Sequence, residues 1–200
     1  MAKLEHSLGI KATYYFRIKK SSFHPAIMKE IEGLGHEVGY HYENLSDTNG
    51  DLKSGLIDFE KHLTTFRKVV QVKTISMHGR PLKPYDNRDL WKSKENHDVL
   101  LNKFGILGEV YLDIDYSDIA YVNDTGRNWR TNQSNRRDHV SSNINADFDS
   151  SEALLNYFSG NPHPKICFQI HPERWSDDKL EWVTQWAKDK AMNTIKKIMK

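Results

Sequence analysis

The sequence predicts a mixed α/β fold with a parallel sheet or barrel, and three observations lead to this expectation. Short runs rich in β-branched and aromatic residues alternate with longer amphipathic runs along most of the chain. Glycine and proline stand at many of the boundaries between these runs. The chain has 200 residues, a length at which roughly 70% of the unfolded surface is buried in one domain. We therefore expect residues 1–200 to form a single α/β domain.

The first half of the chain shows the alternation most clearly. Gly9 closes a first helix in the position where a left-handed residue ends a helix, and a β-rich run follows it. Pro25 begins the second helix and Gly35 ends it, whereas the third helix has apolar residues at intervals of three or four. The expected order is helix 2–8, strand 12–16, helix 25–34, strand 36–41, helix 52–70 and strand 72–77.

The pattern is looser in the second half, after Pro81 and Pro84. Arginine, asparagine and serine dominate residues 123–149, and a loop of that length inside a compact domain is usually functional or disordered. Ser176 is the expected N-cap of the last helix. The expected order is helix 89–96, strand 110–114, strand 119–122, the polar loop, helix 151–158, strand 165–170 and the final helix.

Composition excludes several classes of protein. Lys and Arg number 29 against 27 for Asp and Glu, so the net charge of +2 lacks the basic excess of most nucleic-acid binders. No window approaches the ~20 apolar residues that span a bilayer. The single Cys167 excludes an internal disulfide, and the first residues lack the apolar core of a secretory signal. We therefore expect a cytoplasmic protein without a membrane span and without a nucleic-acid partner.

Ionisable residues stand at the carboxyl ends of the predicted strands. They are Arg17, His41, His78, Asp124 and His171. Because the carboxyl ends of parallel strands meet at one edge of a sheet or barrel, we expect these side chains to face the same edge. Histidine, aspartate and arginine together are the residue types of a divalent-metal hydrolytic site. A single histidine at a strand end is more often a hydrogen-bonded or surface residue, so the hypothesis depends on the three together.

Other polar segments have simpler interpretations. His36 should lie on the opposite face from His41 in an alternating strand, which favours a structural role. Residues 47–51 resemble a calcium loop, but their glycine has the wrong offset and no glutamate closes the loop, so we expect a turn. The arginines between 127 and 137 favour a solvated loop, with a phosphate or sugar-acid clamp as the alternative. Cys167 is expected to be a buried thiol.

Several motifs of the chain resemble the polysaccharide deacetylase family. Residues 9–16 and 34–41 are similar to the second strand and the histidine motif of that family. The chain also resembles a bacterial branch of the family that is found with surface-polysaccharide synthesis, at residues 75–81, 86–91, 124–129 and 171–175. The resemblance implies an incomplete (β/α) barrel around one divalent metal ion, zinc above other transition metals, and the removal of acetyl groups from sugars.

The resemblance also implies roles for individual residues. His41 matches the first metal histidine, but Leu45 stands where the second is expected, so His78 and Glu43 are the candidates to complete the ligand set. His171 matches the general acid. Arg80 belongs to the motif that orients the catalytic carboxylate, and Asp124 belongs to the motif that forms a wall of the site. The candidate saccharide-binding residues are Arg17, Tyr40, Arg127, Trp129, Arg174 and Trp175.

The largest departure from the family is at the start of the chain. The family opens with a strand that supplies aspartates as catalytic base and metal ligand, but this sequence has no aspartate before Asp47. We expect the chain to lack that first strand and to be a deacetylase-like hydrolase of an acetylated saccharide with low turnover. The alternatives are a catalytically impaired carbohydrate-binding or regulatory relative, or a fragment of a longer deacetylase. A homodimer is expected to cover the exposed sheet edge.

Overall fold

The computed structural model describes residues 1–80, 82–125, 127, 129, 137–138, 140–160 and 165–198, without the side chains of 173 and 195–198. The chain divides into two compact units, Met1–Ile114 and Asp115–Lys200, and each is described by itself. Both units contain parallel strands and helices, so the predicted mixed α/β class is confirmed. The single domain and the barrel stay predictions. No helix in the described ranges has the length and hydropathy needed to cross a bilayer.

The first unit is built on a four-stranded parallel sheet. Its strands are β1 (Thr13–Phe16), β2 (Glu37–Tyr42), β3 (Thr74–Met77) and β4 (Gly108–Glu109), paired in that order. Its helices are α1 (Ala2–Ser7), α2 (Pro25–Gly33), α3 (Asn44–Asp47), α4 (Leu52–Arg67), α5 (Lys94–Asp98) and α6 (Val110–Asp113). A 3₁₀ turn spans Asn87–Leu90, and a π-helical turn, Val99–Lys103, follows α5. β1 therefore lies at one edge of the described sheet.

The core of the first unit packs around β2 and α4. Tyr40 on β2 and Phe59 and Phe66 on α4 are almost completely buried, and their rings are in contact. The spacing of the apolar residues in α4 predicts this face correctly, and the Asp51 carboxylate caps the helix by accepting the Ser54 backbone N–H at 2.7 Å. Gly39 is required in β2, because a Cβ atom there would lie 2.9 Å from the Thr74 carbonyl oxygen.

The second unit contains a two-stranded parallel sheet. β5 (Ala120–Asn123) pairs with β6 (Ile166–Gln169), and the helices are α7 (Ser151–Gly160) and α8 (Lys179–Ile198). A second 3₁₀ turn, Pro172–Arg174, follows β6. The apolar core of the unit is formed by Ala120, Val122, Trp129, Ala146 and Leu154.

Three of the predicted elements differ from the structure in a way that a side-chain cap explains. Residues 110–114 do not form a strand, because the Glu109 side chain accepts the Tyr111 backbone N–H at 2.7 Å and starts α6 instead. The helix predicted over 89–96 is divided in two, since Ser93 caps a new helix by accepting the Asn96 backbone N–H. The last helix begins at Lys179 rather than next to Ser176, because the Asp178 side chain accepts the backbone N–H of Glu181.

Parts of the polar loop lie outside the described residues, including Arg130 and Arg136 with their proposed clamp role. The turn predicted at 47–51 is confirmed, with Asn49 and Gly50 both at positive φ. His36 has the structural role that was expected: its Nδ1 accepts the Ala12 backbone N–H, and its Nε2–H donates to the Ala2 carbonyl oxygen. Cys167 is half-buried rather than fully buried, and burial raises the pKa of its thiol.

Candidate functional site

Two clusters of charged side chains stand out, one in each unit. The Glu43 cluster, in the first unit, comprises Arg17, Lys19, Glu43, Asp47, His78 and Arg80. Arg17, Glu43 and His78 directly follow β1, β2 and β3. The parallel register brings the carboxyl ends of these three strands side by side, as the sequence predicts.

Glu43 lies at the centre of the first cluster, with only 2% of its side chain exposed. Arg17 donates to both carboxylate oxygens, at 2.8 and 3.1 Å, and His78 Nδ1 lies 2.9 Å from Oε2. The Lys19 ammonium is 3.2 Å away, and the Arg80 guanidinium is 3.7 Å away. Burial alone would raise the pKa of this carboxyl, but the hydrogen bonds from His78 and Arg17 outweigh it and hold the pKa well below its ordinary value. Glu43 is therefore ionised at neutral pH.

Asp47 carries the second negative charge of the Glu43 cluster. Its carboxylate accepts hydrogen bonds from Lys19 at 2.7 Å and from Arg80 at 2.5 Å. Burial lowers the pKa of Lys19, but hydrogen bonds to Asp47 and the charge of Glu43 outweigh it and raise the pKa above its ordinary value. The sequence interpretation assigned no role to Lys19 or Asp47, because their part in the cluster depends on the fold.

His41 and His78 form a pair of neighbouring imidazoles. Their ring centroids are 5.0 Å apart with the rings nearly perpendicular. His41 Nδ1 lies 2.9 Å from the Ser76 carbonyl oxygen, an acceptor only, so Nδ1 carries the proton. His78 Nδ1 faces the ionised Glu43 in the same way. In the tautomer with Nδ1–H, the lone pair that a metal ion binds is on Nε2, and a carbonyl or carboxylate on the other ring nitrogen is the usual support of a metal-bound histidine.

The three candidate metal ligands do not fit a divalent cation equally well. His41 and His78 have the protonation pattern that a ligand requires. Glu43 fits poorly, because the three permanent cations within 3.7 Å of its carboxylate would repel a divalent metal ion. Within the described ranges, no three or more histidine, cysteine, aspartate and glutamate side chains are grouped so as to hold a metal. Glu43 instead resembles the outer carboxylate that orients His78.

Two further residues of this unit, Tyr40 and Glu109, are buried in it. Tyr40 is only 1% exposed and donates its hydroxyl hydrogen to Asn44 Oδ1 at 2.9 Å, so it packs in the core rather than presenting a ring for a saccharide. Glu109, which ends β4, is completely buried and accepts the Met77 backbone N–H at 2.9 Å. Burial raises the pKa of Glu109 to about 7, although the hydrogen bonds that its carboxylate accepts from the Tyr111 and Met77 backbone N–H groups act in the opposite direction. Because the strand was expected over residues 110–114, the sequence did not identify Glu109 as the last residue of a strand.

The Asp124 cluster, in the second unit, comprises Asp124, His171, Arg174 and Trp175. Asp124 follows β5 and has 4% of its side chain exposed. It accepts His171 Nδ1–H at 2.6 Å and the backbone N–H of the same residue at 3.0 Å. Arg174 Nη1 and Trp175 Nε1 each donate to it at 2.8 Å. Burial opposes ionisation, but the hydrogen bond and charge of His171 and the charge of Arg174 lower the pKa of Asp124 below its ordinary value.

Arginine and tryptophan side chains surround the Asp124 cluster. Arg127, at a φ of 59°, donates from Nε to Asp189 on α8 at 2.8 Å, and its guanidinium lies over the Trp182 ring. The rings of Trp129 and Trp175 are 5.7 Å apart, and Trp175 is 46% exposed. No signal in the sequence singles out Asp189.

The chain was compared with models of protein families, with curated proteins and with solved structures, and none of these comparisons found a match.

Proposed function

We propose that this protein is a divalent-metal-dependent, deacetylase-like hydrolase that acts on an acetylated saccharide in surface-polysaccharide metabolism. The observation that supports the proposal most strongly is the hydrogen bond between His171 Nδ1 and the buried carboxylate of Asp124. An imidazole held in this way has a defined tautomer and orientation, which general acid and base catalysis requires. The proposed fold is the incomplete (β/α) barrel, and the consecutive order β1-β2-β3-β4 is the order that such a barrel uses.

His171 is the proposed general acid. With Nδ1–H directed at Asp124, Nε2 is the atom that transfers the proton to the leaving amine or alkoxide, and such catalysis contributes about 10²–10⁴-fold. The negative charge of Asp124 stabilises the imidazolium form that donates this proton. Arg174 and Trp175 hold Asp124 in place through two further hydrogen bonds.

His41 and His78 are the proposed metal ligands, through Nε2 of each ring. A divalent ion such as zinc would supply Lewis-acid chemistry and lower the pKa of a bound water towards ~7. Glu43 orients His78 through Nδ1, and Arg80 is proposed to hold Asp47 and Glu43 in position. Trp129, Trp175, Arg127 and Arg174 are the proposed saccharide contacts. Trp175 presents an exposed indole on which a sugar ring can pack, Trp129 packs behind it, and sugar hydroxyls accept from guanidinium groups.

A second candidate is a non-catalytic saccharide-binding or regulatory relative. Two observations favour it. Leu45, where the resemblance implies a second metal histidine, is buried in the core at 3% exposure. The cations around Glu43 also oppose a metal ion bound to that carboxylate. A homodimer over the edge strand β1 and a cytoplasmic location remain part of the proposal for either candidate.

Acetate release from acetylated chito-oligosaccharides and from O-acetylated xylan, with zinc present, tests the hydrolase against the binder. The native protein is compared with His171→Ala and with the control His24→Ala, which removes an exposed imidazole at the start of α2. We expect His171→Ala to reduce the rate about 10²-fold or more and His24→Ala to leave it unchanged. Equal release by all three proteins would exclude the assigned role of His171. Saccharide binding without any acetate release would favour the second candidate.

A further inference from the structure

The Glu43 cluster carries more positive than negative charge. Arg17, Lys19 and Arg80 are permanently protonated at neutral pH, whereas Glu43 and Asp47 supply two negative charges. The cluster therefore keeps a net positive charge even when His78 is neutral.

The charges of the cluster are arranged in layers. The Glu43 carboxylate lies inside at 2% exposure, whereas the three cationic side chains around it are each 31–34% exposed. The negative charge is thus covered, and the positive charges reach the surface. Asp47, at 21% exposure, lies between these two extremes.

Arg17 and His78 each have a nitrogen atom that makes none of the hydrogen bonds described within the cluster. Arg17 uses Nε and Nη2 for Glu43, so Nη1 retains its two N–H donors. His78 uses Nδ1 for the same carboxylate, so Nε2 is outside the bond. Arginine presents its donors in a rigid planar fork, and the remaining edge of that fork suits a carboxylate or phosphate oxygen. Glu43 fixes the fork in one orientation before any ligand arrives.

The position of the cluster in the fold agrees with a ligand site. Ligands of parallel α/β sheets bind outside the carboxyl ends of the strands, and Arg17, Glu43 and His78 immediately follow three adjacent strands. The side chains of the cluster come from three separate segments of the chain, so the fold itself assembles the positive surface.

We propose that the exposed side of the Glu43 cluster binds an oxyanion through Arg17, Lys19 and Arg80. The chemistry fits the carboxylate of an acidic sugar or the phosphate of a sugar phosphate, which share two or three charged oxygens on a small planar or tetrahedral centre. The inference concerns anion binding alone. It requires neither a metal ion nor hydrolysis, so it holds or fails independently of the deacetylase assignment.

Titration calorimetry without metal tests the inference with four probes: inorganic phosphate, glucuronate, glucose 1-phosphate and neutral N-acetylglucosamine. We expect the charged probes to bind and the neutral sugar to bind at least tenfold more weakly, since a hydrogen bond between charged groups contributes about tenfold or more. Binding should weaken as ionic strength rises. A preference for glucuronate identifies a carboxylate ligand, and a preference for glucose 1-phosphate identifies a phosphate.

Arg17→Gln and Lys19→Gln should each weaken binding of the preferred charged probe about tenfold. The control Lys103→Gln removes a surface cation that pairs with Glu60 at 3.0 Å, far along the chain from the cluster, and should leave binding unchanged. Circular dichroism and thermal unfolding report whether each variant folds. If Arg17→Gln does not fold, the milder Lys19→Gln carries the test. Equal affinity for charged and neutral probes, no binding of any charged probe, or unchanged affinity in the folded variants would overturn the proposal.

Discussion

Replacing Glu43 by glutamine is the sharpest perturbation of the first unit. The substitution keeps the shape of the side chain and removes one buried negative charge, so Arg17, Lys19, Arg80 and His78 lose their shared partner. Removing one member of a buried ion pair costs about 3–5 kcal/mol. Because the cations here are about one third exposed and stay partly hydrated, we expect a smaller loss of about 2–3 kcal/mol in the free energy of unfolding.

Urea unfolding of the native protein and Glu43→Gln measures this loss. The matched control is Glu60→Gln, which removes a carboxylate that is 49% exposed and pairs with Lys103, and which should cost about 0–1 kcal/mol. The pKa of Glu43 is lowered in the folded state, so its stabilisation is complete above the ordinary value of 4.5 and is lost as the pH falls below it. The gap between native and Glu43→Gln should therefore shrink in acid. A loss no larger than that of the control, or a gap that persists in acid, would refute the reasoning.

Three further predictions concern the core of the first unit. The pKa of Glu109 is raised from 4.5 to about 7 in the folded state, so the contribution of Glu109 to the stability of native protein is complete below pH 4.5 and is lost as the pH rises to 7. At about 1.4 kcal/mol per pH unit, urea unfolding should show native protein losing about 3 kcal/mol relative to Glu109→Gln over this window. Phe59→Ala should cost about 3–5 kcal/mol in the same assay, because Phe59 is fully buried. Gly39→Ala should lower the thermal unfolding midpoint markedly, because its Cβ would lie 2.9 Å from the Thr74 carbonyl oxygen. A pH-independent difference, a loss under 1 kcal/mol or an unchanged midpoint would contradict these predictions in turn.

Local patterns in the sequence were sufficient for most elements of the fold. The apolar spacing of α4 and the glycines at positions 9 and 35, both at positive φ, mark boundaries that the structure confirms. The segment 110–114 was assigned wrongly because five mainly apolar residues are compatible with a strand or a short helix. The side chain of Glu109 decides between them by capping α6, and that depends on a contact that periodicity does not describe.

The sequence predicted which charged residues of the candidate site stand at strand ends, but not which side chains they contact. The rule for parallel sheets located Arg17, His78 and Asp124 at strand ends, and the structure gives each of them a charged partner: Glu43 for Arg17 and His78, and Arg174 for Asp124. Lys19 contacts Asp47 and Asp189 contacts Arg127 only because the fold brings distant segments together, and the sequence neighbours of Lys19 and Asp189 carry no signal. The charge balance around Glu43 likewise depends on three segments at once, so the sequence named Glu43 as a metal ligand without showing the cations that surround it.

The measurement that tests the proposed function most directly is acetate release by metal-stripped protein before and after addition of zinc. The substrate is an acetylated chito-oligosaccharide, and the comparison variant is His41→Ala combined with His78→Ala. We predict that zinc restores acetate release in the native protein and has no effect on the double variant, because both Nε2 ligands are missing. Acetate release that is absent with zinc, or that is the same in native and variant proteins, would contradict the account.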